Sequence, residues 1–150
     1  MAAVNRQTIR DALAALLSTA LVGTGLPVQA VYAYPVSDFG TQSPVVVLQS
    51  ADTTRANYAA QGDKSWIGID IIVFVVYAAT SWTAQNAEDR LDLIEKSIAD
   101  VIEARANQAT TNWAILEYRG ESVPGYIVNE SGGIDYRTET IPVRVKVIEQ

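Results

Sequence analysis

The stretch Trp66-Ile-Gly-Ile-Asp-Ile-Ile-Val-Phe-Val-Val-Tyr-Ala78 decides how the rest of the chain is read, because it is the longest apolar run and the richest in β-branched and aromatic residues. Ile and Val lose rotamer freedom in a helix and pack well on a pleated surface, so the run predicts a central strand. Ile67, Ile69, Ile71, Val73, Val75 and Tyr77 point to one face, and Gly68, Asp70, Ile72, Phe74, Val76 and Ala78 to the other. Both faces are apolar over the C-terminal half, whereas a strand with one wet face would alternate apolar with polar. One face is therefore expected under a helix and the other against another subunit. A membrane-spanning helix needs about 20 apolar residues. This run is shorter and holds Asp70 within it.

A chain of 150 residues suits one domain, spanning 1–150, in which roughly 70% of the unfolded surface is buried. It has no Cys and no His, which removes disulfides, thiolate zinc sites and the commonest general base. The net charge of -6 and pI near 4.5 oppose a broad nucleic-acid surface, which gains affinity from many Lys and Arg on phosphates. Carboxylates are left as the abundant acid–base groups. Asp70, in its apolar setting, reads either as an acid of perturbed proton affinity or, more ordinarily, as a charge that faces solvent or pairs with an Arg. Asp38, Asp52 and Asp63 lack the spacing of a calcium loop, and no Gly-x-Ser-x-Gly elbow occurs. No catalytic set, metal site or cofactor motif emerges, and the expectation is a protein that is not an enzyme.

Outward from the central strand, Arg6, Arg10, the apolar Ala12 to Val22 and Val28-Gln29-Ala30 imitate a secretory signal. The preferred reading is an amphipathic helix, capped by Asn5 or Thr8 and running to about Leu21, with Ile9, Leu13, Leu16, Leu17, Ala20 and Leu21 in one stripe. Gly23 and Gly25 end it. Strands follow at 28–34 and 44–49. Residues 50–65 are polar and read as an extended loop or the arm of a long hairpin.

Past the central strand, Asn86-Ala-Glu-Asp89 is expected to open a long helix reaching about Asn107, with Leu91, Ile94, Ile98, Val101, Ile102 and Arg105 as its buried stripe. Its outer face carries Glu88, Asp92, Glu95, Lys96, Asp100 and Glu103. Residues 113–118 read as a strand, 119–125 as a turn, 126–128 as a short pairing segment, and 134–149 as a long strand. Within that strand Pro142 must sit at a bulge or an unpaired edge position. The fold class is α+β: a mostly antiparallel sheet, two helices on one face, and an extended loop or hairpin arm.

In pattern and order the chain resembles the tail terminator proteins of long-tailed bacteriophages, also called tail completion or tail-to-head joining proteins. The likeness rests on the Asn5-Arg-Gln-Thr-Ile-Arg-Asp-Ala-Leu-Ala-Ala-Leu-Leu17 helix leading to Pro35 and the Pro-Val-Val-Val-Leu48 strand, on Asp89-Arg-Leu-Asp-Leu-Ile-Glu-Lys-Ser-Ile98 after the apolar strand, and on the closing Gly133-Ile-Asp-Tyr-Arg-Thr-Glu-Thr-Ile-Pro-Val-Arg-Val-Lys-Val147. It covers nearly the whole chain but rests on no short motif.

The resemblance implies a structural virion protein at the head-proximal end of the phage tail, assembled in the host cytoplasm. It would form a homo-oligomeric ring, a hexamer in this family, that caps the tail tube protein, stops polymerisation and meets the head–tail connector or stopper. DNA would pass through the lumen without sequence-specific binding; no membrane and no cofactor are involved. Residues marked as candidate contacts are Arg55, Tyr58, Lys64, Trp66, Trp82, Arg119 and Glu121. The competing readings are another head–tail adaptor, a tube protein, or a small-molecule-binding α/β domain.

Overall fold

The computed structural model describes residues 4–36, 39, 42–58, 62–77, 83–105, 113–128 and 134–149, with backbone alone at 56–58, 62–64, 105 and 148–149. In chain order the elements are α1 (Arg6–Leu21), β1 (Ala30–Tyr32), β2 (Val45–Tyr58), β3 (Gly62–Tyr77), α2 (Ala84–Arg105), β4 (Ile115–Tyr118), β5 (Val123–Ile127) and β6 (Asp135–Glu149). The fold is α+β, as expected. Six strands form one sheet in the order β1-β2-β3-β6-β4, with β5 also paired to β6. Only the β1–β2 pair is parallel.

β3 is central, as its two-sided apolar pattern requires. It pairs with β2 through a register running from Val45↔Phe74 to Tyr58↔Gly62, and with β6 from Tyr77↔Asp135 to Asp63↔Glu149. Residues 50–65 therefore take the hairpin-arm alternative, and most of them are strand. The second strand is longer than the predicted 44–49, and the first shorter than the predicted 28–34. A β-bulge between Ser50 and Thr53 shifts the register by one residue, which re-aims the side chains of the arm relative to its base.

Both helices lie on the odd-numbered face of β3. Ile67, Ile69, Ile71, Val73 and Val75 are fully buried there, together with Val46 and Leu48 of β2 and Ile141, Val143 and Val145 of β6. From α1 come Ile9, Leu13 and Leu17, and from α2 Ala87, Leu91, Ile94 and Ile98. Burying each such large aliphatic side chain stabilises the fold by roughly 1.5–3 kcal/mol. Of the two candidate caps for α1, Asn5 serves: its Oδ1 accepts from the Gln7 amide at 2.9 Å. Gly23 and Gly25 stop the helix at φ values of 148° and 78°, which side chains disfavour.

Helix α2 begins two residues before the predicted Asn86, because Thr83 caps it: Thr83 Oγ1 accepts from the Asn86 amide at 3.1 Å. Its described part runs to Arg105, and the predicted end at Asn107 lies outside the described residues. The predicted 119–125 turn is also shortened, since Val123 already pairs with Thr140. Pro142 sits neither at a bulge nor at an edge, since it faces Asp70 in the unbroken β3–β6 register. Its carbonyl accepts from the Arg119 amide at 2.9 Å, so its nitrogen, on the same side of the strand, faces the gap between β4 and β5, where no amide hydrogen is required.

The even-numbered face of β3 differs from the expectation of a bare surface awaiting a partner. Phe39, between β1 and β2, stacks back over it, 5.0 Å from Phe74 and 5.8 Å edge-on from Tyr136, with Tyr32 6.3 Å away. Ser43 fastens this crossing by accepting from the Val76 amide at 3.0 Å through Oγ and donating its own amide to Gln29 Oε1 at 3.2 Å. Tyr32 donates to Gln42 Oε1. The chain thus shields part of its own second face.

Candidate assembly surface

Beyond the Phe39 plug, the second face carries charge arranged around β3. Trp66, half-buried, lies beneath Arg144 and Lys146, at 4.2 and 5.6 Å from the ring centroid, an attraction between cation and ring quadrupole. Arg144 also donates to Glu117 at 2.7 Å. Beside it, Arg119 bridges two acids, 2.7 Å from Asp70 and 3.6 Å from Asp52. Asp70 thus takes the ordinary alternative, a charge paired with an Arg. Gly68 lies under this cluster: a Cβ there would meet Asp52 Oδ1 at 2.1 Å and Arg119 Nε at 3.2 Å, so only glycine lets Asp52 and Arg119 close over the strand.

Of the marked residues, Trp66 and Arg119 are therefore brought onto one face, both already engaged within the chain. Arg55 is exposed on β2 and donates to the Val4 carbonyl at 2.9 Å, tying the arm to the start of α1. Tyr58 and Lys64 are placed by backbone register near the tip of the arm. Glu121 is exposed between β4 and β5. Trp82 lies outside the described residues. Sequence reading missed Arg144, Glu117 and Asp52. The alternation in Val143-Arg-Val-Lys-Val147 could have flagged Arg144, since it sets the basic residues opposite the core face.

On the helix side, Arg137 is buried and held by Glu88 through two contacts of 2.7 and 3.2 Å, by the Gly125 carbonyl at 2.7 Å and by the Tyr126 ring at 4.3 Å. The hydrogen bond from Arg137 holds the Glu88 carboxyl below its ordinary range. Glu139, two residues along β6 on the same face, is 7% exposed. Burial, then the nearby Glu95, pushes its carboxyl up, with Arg137 acting the other way. The Tyr118 hydroxyl is likewise raised, by burial first and then by Glu95, Glu103 and Asp100. Carboxylates of α2 thus gather over the β4–β5 side of the molecule.

Among the described residues, no three acidic groups come together at metal-binding spacing, and no helix is long and apolar enough to cross a membrane. A shallow cleft of about 300 Å³ lies between the helices, lined by Leu16, Thr19, Ala20, Asp100, Val101 and Ala104. Among the described residues Asp100 is its only ionisable lining residue, and Lys96 already donates to it at 2.7 Å.

The open features are the sheet's edges. Among the described residues, β1 pairs with β2 only at Val45, Val46 and Val47, so the outer backbone of β2 is unpaired from Leu48 to Tyr58. At the opposite edge, β5 and β4 pair, among the described residues, with β6 on one side alone. That edge is apolar: Val123, Tyr126, Ile127 and Val128 are 57%, 60%, 47% and 65% exposed. Unpaired amides and carbonyls beside exposed apolar side chains make a template for strand addition. In comparison with known proteins, no family model matches the chain and no curated protein matches it.

Proposed function

We propose that this chain is a structural assembly protein of the tail-terminator type, one that closes into a ring on the end of a phage tail tube, stops its growth and presents a docking face to the head connector. One observation carries the reading: the sheet finishes in two unlike open edges, a long polar one on β2 and a short apolar one on β5. A ring built by rotation needs such a pair, because each copy offers one surface and receives another. The order of elements and the use of the chain's charged residues in internal pairs fit a scaffold. Negative charge around a DNA channel would let the duplex slide by repulsion.

The test is to mix the purified protein with tail tube protein from the same phage and view the products by electron microscopy. Tubes arrested at a short length and capped by a single ring are the expected result. Long tubes built from this protein alone would make it a tube protein. Tube growth unaffected by its presence would remove the terminator reading.

A further inference from the structure

Resting on the ring reading, we infer that the interface between copies is a head-to-tail strand addition, in which the apolar β5 edge of one copy lies antiparallel to the open β2 edge of the next. The direction of pairing follows from topology. β2 and β6 run the same way, because each is antiparallel to β3, and β5 is antiparallel to β6. A rotation that carries one copy to its neighbour while preserving strand direction therefore sets β5 against β2 in opposite senses.

Charge selects the second copy as occupant. The β2 edge adjoins the start of α1, where Arg55 reaches the Val4 carbonyl, and α1 carries Arg6 and Arg10 against the single acid Asp11. The β4–β5 edge lies beside α2, which carries six carboxylates against three basic residues, and itself bears Glu121 and Glu117, the latter paired to Arg144, against Arg119. The less acidic edge of one copy thus faces the more acidic edge of the next. A two-fold contact at the β4–β5 edge would instead bring the carboxylates of two α2 helices together, which repel. A five-residue strand buries less than the roughly 1,200 Å² of a standard stable interface, so a single contact is weak and association depends on concentration.

The chain holds no Cys, so assembly is read without disulfide artefacts. Two variants disable one edge each at exposed positions: Ile127→Lys on β5, and Thr54→Glu with Arg55→Glu on β2. Analytical ultracentrifugation of the wild type is expected to show association that grows with concentration, and each variant alone is expected to be monomeric. Mixed together, the two variants keep one intact edge each and should form a 1:1 heterodimer and nothing larger. Circular dichroism of each variant verifies that it is folded. A heterodimer that fails to form, variants that associate like wild type, or a wild type monomeric at its highest attainable concentration would each overturn the inference. Tube-length arrest is measured separately, so an interface built elsewhere would leave the terminator reading standing, and unaffected tubes would remove that reading even if the edges pair.

Discussion

Glu139 shows how much a single side chain in this sheet depends on residues far from it in sequence. Its carboxyl is raised by burial beneath α2 and by Glu95, while Glu88 is lowered by its bond to Arg137. The two act oppositely on stability. Between the ordinary value of 4.5 and its raised value in the fold, Glu139 binds more protons folded than unfolded, so stability falls as pH rises through that window. The contribution of Glu88 is complete above 4.5 and is lost as pH falls toward its lowered value. Glu139→Gln, neutral throughout, should therefore be more stable than wild type at neutral pH, the gain vanishing below 4.5, where wild type is protonated in both states. Urea unfolding across that range checks this; a gain independent of pH would contradict it. None of this was legible locally. Residue 139 lies in a polar-alternating run that reads as a wet strand face, and Arg119 and Asp70, 49 positions apart, meet only because β4 and β3 flank β6.

At the level of elements, periodicity and caps carried the reading where a buried stripe set the pattern. α1 was legible from Ile9, Leu13 and Leu17 and from Asn5, and β3 from its two apolar faces. The arm of β2 was legible only as one of two alternatives, because residues 50–58 carry no apolar alternation. Their strand conformation is imposed by β3 across the ladder, a case of pairing overriding local preference. The start of α2 moved because Thr83 and Asn86 are both good caps, and only backbone geometry chooses between them. The crossing that bears Phe39 was the largest surprise, since a lone aromatic in a Pro- and Ser-containing loop signals nothing by spacing. Removing a fully buried Phe costs about 3–5 kcal/mol. For the half-buried Phe39, Phe39→Ala should cost about 2 kcal/mol. It should also weaken the near-ultraviolet circular dichroism from the Phe74 and Tyr136 cluster. A near-ultraviolet spectrum like that of wild type would show that the ring cluster does not order this face.

Over the whole molecule, charge and greasiness are distributed unevenly from one edge of the sheet to the other. The α1–β2 side is the less acidic, and the α2–β4–β5 side gathers carboxylates around exposed Val123, Tyr126 and Ile127. Association that relies on this asymmetry is screened as ionic strength rises, because the Debye length shrinks from about 30 Å at 0.01 M to about 3 Å at 1 M. Self-association measured by sedimentation should therefore weaken several-fold between low and high salt, leaving a residual that reflects apolar and backbone contact. Association that strengthens with salt would point to a purely apolar contact. The sequence showed that both faces of β3 need cover; it did not show that the second is partly covered from within, because that depends on where a connecting segment crosses in space.

The ring of Phe39 over Phe74 and Tyr136 has a bearing on how such a chain survives before it meets its neighbours. With that flank partly sealed from inside, the exposed apolar side chains among the described residues are densest along the β5 rim. Under the proposed strand addition, copies would accumulate side by side without clumping broadside, and their joining would be confined to a narrow seam whose orientation is fixed in advance.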